Sequence, residues 1–590
     1  MVLRPTPLLL ATSLALAGAA AIALPLPATP PPLPAAPPRF RSAPTPERQG
    51  GELVITGVRQ QAAWRLQGED EATPTTLWLP LEVLQNQLGF SSRTRPDGVL
   101  DLEWYGLGLL VPPGEQRRLD DEVAIDVADL LARSGARIRV QGQRLELHWP
   151  PARLLAVRQA RQAGTRRLVL DLDGPAPLRS DAGGLSLAVA ADGGLRQRLR
   201  AEGLDGGWVA GRLTLTGAST ASPQRIFTLG GPSRVVLDLP AGAPAAAPTA
   251  EAPDPRLQGL LARGLIWRRE ERRVGDQRLQ LHAVGVDPTT LPLLLRPLRP
   301  WTGMEGLVGL SQLARQHDAL VAINGGYFNR VRRLPLGALR QDGQWLSGPI
   351  LNRGAVGWEP RQLPRFGRLR LEEWLSDGQG RRWPLVALNS GYVQRGLSRY
   401  TAAWGAVYRA LSGQELAVRL RGELVIETIP AERLAAGVPI AADEQLIVGR
   451  AGVIPPWPVG TRVELSSVSS DPVGEASQVV GGGPLLLQGG RVVLDGALEG
   501  FSPAFLQQGA PRTVIASDGQ RLWLLTLQGA EGAGPTLAET AWLLQRLGLR
   551  DALNLDGGSS TGLVMGGRLE VRGRGVAGSV HHGLGLVPGG

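Results

Sequence analysis

Four phrases in the sequence place glycines and polar residues directly after apolar runs, where strands are expected to end. Glycine adopts backbone angles closed to other residues, so such turns bring backbone amides and polar side chains within reach of a ligand. Each phrase alone is also explained by an ordinary turn between strands. The phrases are VAINGGYFN from Val321, VVGGGPLL from Val479, PRTVIASDGQRLWLLTLQG from Pro511 and ALNLDGGSSTGLVMGG from Ala552.

Asp556, in the last phrase, is the strongest candidate for chemistry. It follows an apolar run, precedes Gly557 and Gly558, and has the polar residues Asn554 and Ser559 close by in the chain. A carboxylate at a strand end can act as a base, a nucleophile or a metal ligand. An Asp-Gly turn without a catalytic role is the simpler alternative. The polar residues crowded around Asp556 favour chemistry.

The turn after Val321 offers polar groups at the end of a buried strand. Gly325 and Gly326 would expose Asn324, Tyr327 and the backbone amides at the strand end, where sites in α/β-type proteins tend to lie. A double glycine after a strand is otherwise simply a turn.

Two further groups suit an anionic ligand. The amides around Gly482 and Gly483 can surround an anion, although a tight strand connection explains these glycines equally well. Arg512 lies just before an expected strand, and arginine binds phosphate through two parallel hydrogen bonds. In a chain with so many arginines, any single one is a surface residue by default.

Composition limits which side chains can do chemistry. The 590 residues include no cysteine, and all 63 basic residues are arginine because no lysine occurs. Disulfides, thiolate metal sites, cysteine nucleophiles and Schiff-base lysines are therefore excluded. The five histidines are scattered except for His581 and His582, so no zinc-type cluster is visible. Carboxylates, arginines, amides and hydroxyls must carry any reaction.

The formal charge of +10 suits anionic partners, but a coding preference for arginine explains it as well. No arginine run is interleaved with aromatic residues, so nucleic-acid binding is not expected.

The expected fold class is α+β, with a mixed-sheet C-terminal catalytic domain preceded by two small β-rich modules. In the N-terminal part, GELVITGVRQ and RIRVQGQRLELHWP alternate as strands do, whereas LWLPLEVLQNQLGF and VAIDVADLLARSG have helical spacing. Near the C-terminus, TLAETAWLLQRLG predicts a helix before the strand that leads to Asp556.

The four phrases occur in the order and spacing of the phosphodiester glycosidase family, which residues 256–590 resemble. INGGYFN, GGGPLL, PRT followed by DG, and NLDGGSST carry the resemblance. PLGALRQDGQW from Pro335, ALNSGYV from Ala387 and RYTAAWG from Arg399 agree with it. The C-terminal phrase departs from the family, because VAGSVHHGLGL places Ser579, His581 and His582 where an Asn-bearing turn is usual.

The resemblance implies hydrolysis of a sugar-1-phosphate diester by cleavage of either the C–O or the P–O bond. Asp556 would be the carboxylate that activates water or attacks the sugar, Arg512 would contact the phosphate, and Asn324 would complete the catalytic group. No cofactor is expected, and no EF-hand-like spacing supports a Ca²⁺ or Mg²⁺ site at Asp556 and Asn554. The residues expected to bind substrate are Gly325, Gly326, Tyr327, Gly482, Gly483, Asn554, Gly557, Gly558 and Ser559.

The N-terminal third is interpreted as export and envelope modules. Residues 1–24 resemble a signal peptide, with Arg4 followed by an apolar stretch and A-x-A cleavage sites, although a retained anchor is the alternative. Residues 25–50 form a proline-rich linker. Residues 51–150 resemble the N-terminal domain of copper amine oxidases. Residues 151–240 resemble the AMIN domain, through the echo of RLVLDLDGPAP and RVVLDLPAGAP, and 241–255 form an Ala/Pro linker.

The sequence thus predicts an exported bacterial hydrolase, periplasmic or extracellular, that cleaves a glycosidic phosphodiester in an envelope or extracellular glycan. The N-terminal modules would be structural or adhesive and could bind peptidoglycan. No membrane span is expected after signal cleavage. The alternative is a non-catalytic envelope protein that binds peptidoglycan or an anionic polysaccharide.

Overall fold

The structure is a computed structural model, and it describes most of the chain from residue 47 onwards. The expected signal peptide, nearly all of the proline-rich linker and most of the 241–255 linker lie outside the described residues. The described ranges are 47–68, 70, 72–95, 98–119, 122–162, 165–181, 184–201, 208–209, 212–215, 225–240, 254–300, 303–529, 533–573 and 579–589.

The N-terminal part begins with a sheet of seven strands in which the first and tenth strands of the chain pair in parallel. A separate three-stranded sheet packs beside it. In sheet order the first consists of Arg117–Leu119, Glu122–Asp126, Thr76–Pro80, Val58–Gln67, Glu47–Ile55, Arg144–His148 and Arg137–Gln141, and the second of Ser91–Thr94, Leu100–Trp104 and Leu107–Val111.

The strands expected here are confirmed, but the two expected helices are only half right. Thr76–Pro80 and Glu122–Asp126 are strands, because they pair with each other inside the sheet and alternate Leu77 and Leu79 towards its core. Helices follow only at Leu81–Val83, which continues as a π turn Leu84–Leu88, and at Ala128–Arg133. The first strand begins at Glu47, within the last residues of the segment predicted as a linker.

The echoed sequences in residues 151–240 form neighbouring antiparallel strands. Arg167 lies opposite Asp238 and binds its carboxylate through two hydrogen bonds, of 2.6 and 2.9 Å. These strands belong to a five-stranded sheet with the order Val189–Ala190, Ala152–Gln162, Thr165–Leu172, Ser233–Pro240 and Arg225–Leu229. A four-stranded sheet accompanies it, with the order Leu178–Asp181, Gly184–Leu187, Arg212–Leu215 and Trp208–Val209.

One hydrophobic core runs through both predicted N-terminal modules. It extends from Leu53 to Leu237 and includes Val331 from the C-terminal part of the chain. The structure therefore does not separate residues 51–150 from 151–240 as two cores, and their resemblance to two module families stays a prediction.

Two sheets position the site in the C-terminal part, and each combines early and late strands of that part. The mixture of strands with helices confirms the expected α+β class. The seven-stranded sheet is Ile266–Val274, Gln277–Val286, Leu522–Gln528, Arg512–Ser517, Asp551–Asn554, Leu485–Gln488 and Arg491–Val492. The five-stranded sheet is Leu293–Leu298, Gly583–Pro588, Val321–Asn324, Gly562–Met565 and Arg568–Arg572.

Two more large sheets and three strand pairs are seen among the described residues of the C-terminal part. One has five strands, in the order Gln344–Ser347, Leu339–Gln341, Gln478–Gly481, Gly354–Trp358 and Arg365–Arg368. The other has seven, in the order Leu424–Ile429, Leu416–Arg421, Glu444–Arg450, Gly396–Thr401, Arg382–Leu388, Leu371–Asp377 and Val463–Ser469. The pairs are Val308–Gly309 with Ser579–Val580, Phe328–Asn329 with Leu334–Pro335, and Val407–Tyr408 with Val438–Pro439.

The helices are short and lie between the sheets. The expected helix near the C-terminus is confirmed as Leu537–Arg546, which begins with a capping box between Thr536 and Glu539. Within the described residues, no helix has the length and hydropathy needed to cross a bilayer. The remaining α-helices are Gly193–Ala201, Pro255–Ala262, Leu310–Gln316, Ala431–Ala436 and Pro503–Gln507, and the 3-10 helices are Pro113–Glu115, Ala402–Trp404, Pro472–Glu475 and Gly558–Ser560.

Candidate active site

Asp556 lies on the segment that crosses from one central sheet to the other. Strand Asp551–Asn554 belongs to the seven-stranded sheet, and Gly562–Met565 to the five-stranded one. The backbone of the crossover is fixed at both sides: the amide of Asp556 donates to Gly325 O at 3.1 Å, and the amide of Gly558 donates to Pro511 O at 2.9 Å. The carboxylate is thus held on a rigid turn between two sheets.

Asn324 is fully buried and ties this crossover to both sheets. Its Nδ2 donates to the backbone oxygen of Asp556 at 2.7 Å. Its Oδ1 accepts from the hydroxyl of Thr513 at 2.7 Å and from the amide of Gly562 at 3.1 Å. Asn324 therefore lies behind Asp556 with its polar atoms bonded inside the protein, whereas the sequence suggested a group exposed at the strand end.

The Asp556 carboxylate lines a cleft and is partly buried. Burial raises its pKa from 3.8 to about 6, against the opposing effects of the Arg330 charge and of hydrogen bonds from the Ser560 side chain and the Gly557 amide. The Gly557 bond to Oδ1 measures 3.0 Å. Asp556 is therefore ionised at neutral pH but more basic than an ordinary aspartate.

The glycine amides do not form the expected anion site. Gly325 N–H donates to His582 O at 2.9 Å and Gly326 N–H to His582 Nε2 at 3.1 Å. Gly482 and Gly483 donate to the backbone oxygens of Gly354 and Asn554.

These glycines are needed for close packing. A Cβ on Gly326 would overlap the carbonyl oxygen of Gly481, and one on Gly482 would overlap that of Asn554. The backbones approach too closely here for any side chain.

Tyr327 and Asn554 form a second layer of buried polar contacts. The Tyr327 hydroxyl donates to Gly483 O at 2.7 Å and accepts from Asn554 Nδ2 at 3.0 Å. Burial raises the pKa of Tyr327 above its ordinary value, so the phenol stays protonated. Asn554 is fully buried, and its Nδ2 also donates to Gly483 O and Leu555 O. No cluster of three or more His, Cys, Asp or Glu side chains suited to a metal occurs in the described ranges.

Arg512 reaches the cleft but is anchored by the backbone. Its Nε donates to Pro535 O at 3.0 Å and its Nη2 donates to Gln508 O. The side chain is 1% exposed. Its charge therefore acts at a fixed position in the cleft wall.

The cleft has an empty volume of about 1230 Å³, including its open mouth, and combines arginines with aromatic rings. Of the residues predicted for the site, Tyr327, Arg512, Asp556, Gly557 and Gly558 line it. The others lie behind this surface: Asn324, Gly325, Gly326, Gly482, Gly483, Asn554 and Ser559.

Sequence reasoning missed several residues of the cleft. Arg330 and Arg353 add positive charge, and Phe501 and Phe505 stack at 5.0 Å between ring centroids. Arg353 lies 4.1 Å from the Phe501 ring centroid, a cation–π contact. Arg330 follows INGGYFN directly and could have been suspected from that position, whereas nothing in the sequence singled out the other three.

The N-terminal part supplies one side of this cleft, which we call the outer wall: Leu81, Glu82, Arg118, Glu122 and Val123. The turns at residues 324–327 and 554–560, with the turn at 481–484 packed behind them, form what we call the inner wall, of which Tyr327, Asp556, Gly557 and Gly558 line the cleft. Residues 51–150, which the sequence predicts to be structural or adhesive, thus also line the cleft that contains Asp556.

Two comparisons identify the chain. A crystal structure of a protein from Synechocystis, described only as hypothetical, is 32% identical, covers 91% of this chain and 99% of its own, and superposes with a TM-score of 0.53. Residues 386–587 match the family model of phosphodiester glycosidases. The chain belongs to the family of the Synechocystis protein and contains a phosphodiester glycosidase domain.

More distant structures also match. A putative exported protein of Burkholderia pseudomallei is 17% identical, with 75% of this chain and 98% of that chain covered and a TM-score of 0.42. The catalytic domain of zebrafish N-acetylglucosamine-1-phosphodiester alpha-N-acetylglucosaminidase, auto-inhibited by its pro-peptide, is 15% identical, with 55% and 83% covered and a TM-score of 0.30. The search of curated proteins found no match.

The matched span is shorter than the predicted phosphodiester glycosidase domain, residues 256–590. It includes Asp556 and Arg512 but not Asn324 or Arg330. In the structure, however, Val321–Asn324 pairs with Gly562–Met565 and Gly583–Pro588. The earlier segment is therefore an integral part of the sheet that carries the matched residues.

At the C-terminal phrase VAGSVHHGLGL, where the sequence differs from the pattern expected for phosphodiester glycosidases, His581 and His582 form hydrogen bonds inside the protein. His582 Nε2 accepts from Gly326, His581 Nε2 bonds Met304 O at 2.7 Å, and the two Nδ1 atoms lie 3.1 Å apart. This pattern fits two neutral rings, with His582 donating to His581. Burial lowers the pKa of His581 to about 4 and of His582 to about 3. The pair supports the INGG turn behind the cleft.

Proposed function

We propose that this protein hydrolyses a glycosidic phosphodiester, a sugar-1-phosphate diester, at the cleft that contains Asp556. The observation that carries the proposal is a partly buried carboxylate with a raised pKa in a cleft that is also lined by Arg330, Arg353 and Arg512. A phosphodiester brings a negative charge that arginines bind well. The match of residues 386–587 to the family model of phosphodiester glycosidases supports this proposed activity.

Asp556 is the group proposed to react. With a pKa of about 6 it is mostly ionised at pH 7, and it can either attack the anomeric carbon or activate a water molecule. If the C–O bond breaks, the departing phosphate monoester is already a stable anion and needs little general-acid help. If the P–O bond breaks, the same arginines would bind the charge that develops on phosphorus-bound oxygens.

The two kinds of lining suggest where each part of the substrate lies. Tyr327, Phe501 and Phe505 form an aromatic surface on which the apolar face of a sugar ring can pack. The phosphate would then lie towards Asp556 and the arginines. We assign Asn324 and Asn554 to the support of this arrangement, because both are fully buried.

We further propose that the protein is exported and acts on an envelope or extracellular glycan. This part of the proposal rests on the signal-like residues 1–24 and the proline-rich stretch after them. A fractionation experiment with the full chain checks it: recovery of the protein only in the cytoplasm would contradict export.

The test of the activity compares the full chain with its Asp556→Asn variant on a panel of sugar-1-phosphate diesters, measuring released sugar. We expect turnover by the wild type, and a loss of about 10³-fold or more in the variant. Asp443→Asn serves as the matched control, because Asp443 is exposed and does not line the cleft. Full activity of Asp556→Asn would remove Asp556 from the mechanism.

The same variant makes a prediction about stability. Because the pKa of Asp556 is raised in the folded state, its ionised form opposes folding above about pH 6, and this penalty disappears below the ordinary value of 3.8. Asp556→Asn should therefore raise the free energy of unfolding at pH 7, by about 1–3 kcal/mol. Urea unfolding measures it, and a variant that is inactive and also less stable would indicate a structural role instead.

The competing function is a protein that binds an anionic glycan without turnover. If the wild type releases sugar from no substrate of the panel and the protein is retained on peptidoglycan or polysaccharide, that alternative is favoured.

A further inference from the structure

The outer wall of the cleft places a carboxylate close to the reactive group. Glu82 lies on the short helix Leu81–Val83, whose neighbouring residues Leu81 and Val83 are buried in the N-terminal core. Glu82, between them, lines the cleft. Its Oε2 lies 3.7 Å from Nη2 of Arg330, and its side chain is only 13% exposed.

Arg330 connects Glu82 to the loop that follows Asp556. Its Nη2 donates to Ser559 Oγ at 3.0 Å and lies 3.4 Å from Ser560 Oγ. The Ser560 side chain in turn donates to the Asp556 carboxylate. Arg330 therefore stands between the outer wall and the 3-10 turn Gly558–Ser560 of the inner wall.

The segment that contains Arg330 packs against the N-terminal part of the chain. Val331, the next residue, is 5% exposed and belongs to the N-terminal hydrophobic core. The hydroxyl of Thr94 donates to its backbone oxygen. A displacement of this module would therefore move Arg330 as well as Glu82.

We propose that Glu82 is a positioning residue of the active site: it holds Arg330 against the Gly558–Ser560 turn and sets the charge around Asp556. This inference rests on the role proposed above for Asp556. The proposal makes the N-terminal module part of the catalytic unit, because Glu82 and the hydrophobic core that buries Val331 both belong to that module.

The charged groups around Asp556 come from several elements. Arg330 acts on it from the segment after Asn329, and Glu82 acts on it from the outer wall. Tyr327, on the inner wall, is influenced by the charges of Asp556, Arg353, Arg512 and Glu499. The negative charge of Glu122, the first residue of strand Glu122–Asp126 in the outer wall, also stabilises the charged form of Arg330.

The negative charge of Glu82 favours protonation of Asp556 and so raises its pKa, while Arg330 lowers it. Replacing Glu82 by glutamine removes the charge but keeps the shape. The pKa of Asp556 should then fall, and Arg330 should lose the ion pair that fixes its position.

The kinetic test measures the pH dependence of kcat and kcat/KM for the full chain and for Glu82→Gln, with a sugar-1-phosphate diester that the wild type cleaves. We expect the acidic limb of the profile to move to lower pH, and kcat/KM at pH 7 to fall about tenfold, mainly through kcat. Glu82→Asp should recover part of the loss. An unchanged acidic limb and rate in Glu82→Gln would overturn the proposal.

Glu103→Gln is the matched control, because Glu103 is an exposed glutamate of the same part of the chain and does not line the cleft. It should leave both the profile and the rate unchanged. A loss equal to that of Glu82→Gln would show that any change of charge in this module has the same effect, which contradicts a specific role.

A second measurement needs no turnover and keeps the two proposals distinguishable. Aspartate labelled with ¹³C at its carboxyl group reports the titration of Asp556, whose signal is assigned by its absence in Asp556→Asn. We expect a midpoint of about 6 in the wild type and a lower midpoint in Glu82→Gln. If the wild type cleaves nothing in the panel, the proposed function fails, while this titration still decides the role of Glu82: equal midpoints would overturn it.

Discussion

The inner and outer walls of the cleft are built on different physical principles. The inner wall consists of turns in which backbone amides already have acceptors and backbones touch, as at Gly326 and Gly482. The outer wall presents charged side chains, above all Glu82, that act across the cleft through Arg330. The inner wall fixes where Asp556 lies, and the outer wall influences its charge.

This difference shows why glycine-rich turns are poor evidence for an anion site by themselves. An amide that donates to a carbonyl or to His582 has no proton left for a ligand. In this cleft the attraction for an anion comes from guanidinium groups. Changes to the packed glycines of the inner wall should therefore cost stability, and changes in the outer wall should alter rates or pH dependence.

The largest effect on stability is expected at acidic pH, from the histidine pair behind the inner wall. Both pKa values are lowered, to about 4 and about 3, so between pH 6.5 and 4 the unfolded chain binds protons that the folded chain does not. The free energy of unfolding should fall by about 1.4 kcal/mol per pH unit for each histidine over this interval.

Urea unfolding between pH 7 and 4 measures this loss in the wild type and in the double variant His581→Gln, His582→Gln. The double variant should show a shallower decline, while His148→Gln, at an exposed position, should follow the wild type. Identical slopes in all three proteins would mean that the pair does not set the acid sensitivity of the inner wall.

A methyl group on the inner wall is expected to have the next largest effect. Gly326→Ala would place its Cβ against the carbonyl oxygen of Gly481, and relief requires a shift of the backbone beside Asp556. We expect a loss of about 3 kcal/mol in the free energy of unfolding, together with loss of activity. Gly413→Ala is the control, because no atom lies within 4 Å of the added Cβ there. Tolerance of Gly326→Ala would show that this wall is less tightly packed than the structure indicates.

The smallest effect on stability is expected for Arg330→Lys at the junction of the two walls. Lysine keeps the charge but cannot contact Glu82, Ser559 and Ser560 with one planar group. The free energy of unfolding should change by less than about 1 kcal/mol, whereas kcat/KM should fall about tenfold. Arg315→Lys, on the exposed face of its helix, should change neither quantity. A large loss of stability without a kinetic effect would place Arg330 with the inner wall.

Local features were read correctly from the sequence because they depend on neighbouring residues. Examples are the capped helix Leu537–Arg546, the strand before Asn324 and the echoed strands that contain Arg167 and Arg234. The half-wrong helix at residues 77–90 shows the limit. Strand pairing of Thr76–Pro80 with distant segments outweighed a helical spacing of apolar residues.

The sequence by itself determined the chemistry that is available: no thiol or lysine, and a set of phrases that marked Asp556, Arg512, Tyr327 and the glycines around them. Only the tertiary structure decided how those groups are used. Whether an amide faces a ligand or a carbonyl, and whether Glu82 comes within 3.7 Å of Arg330, depends on contacts between segments far apart in the chain. Such contacts follow from sheet pairing and core packing, which residue spacing does not encode.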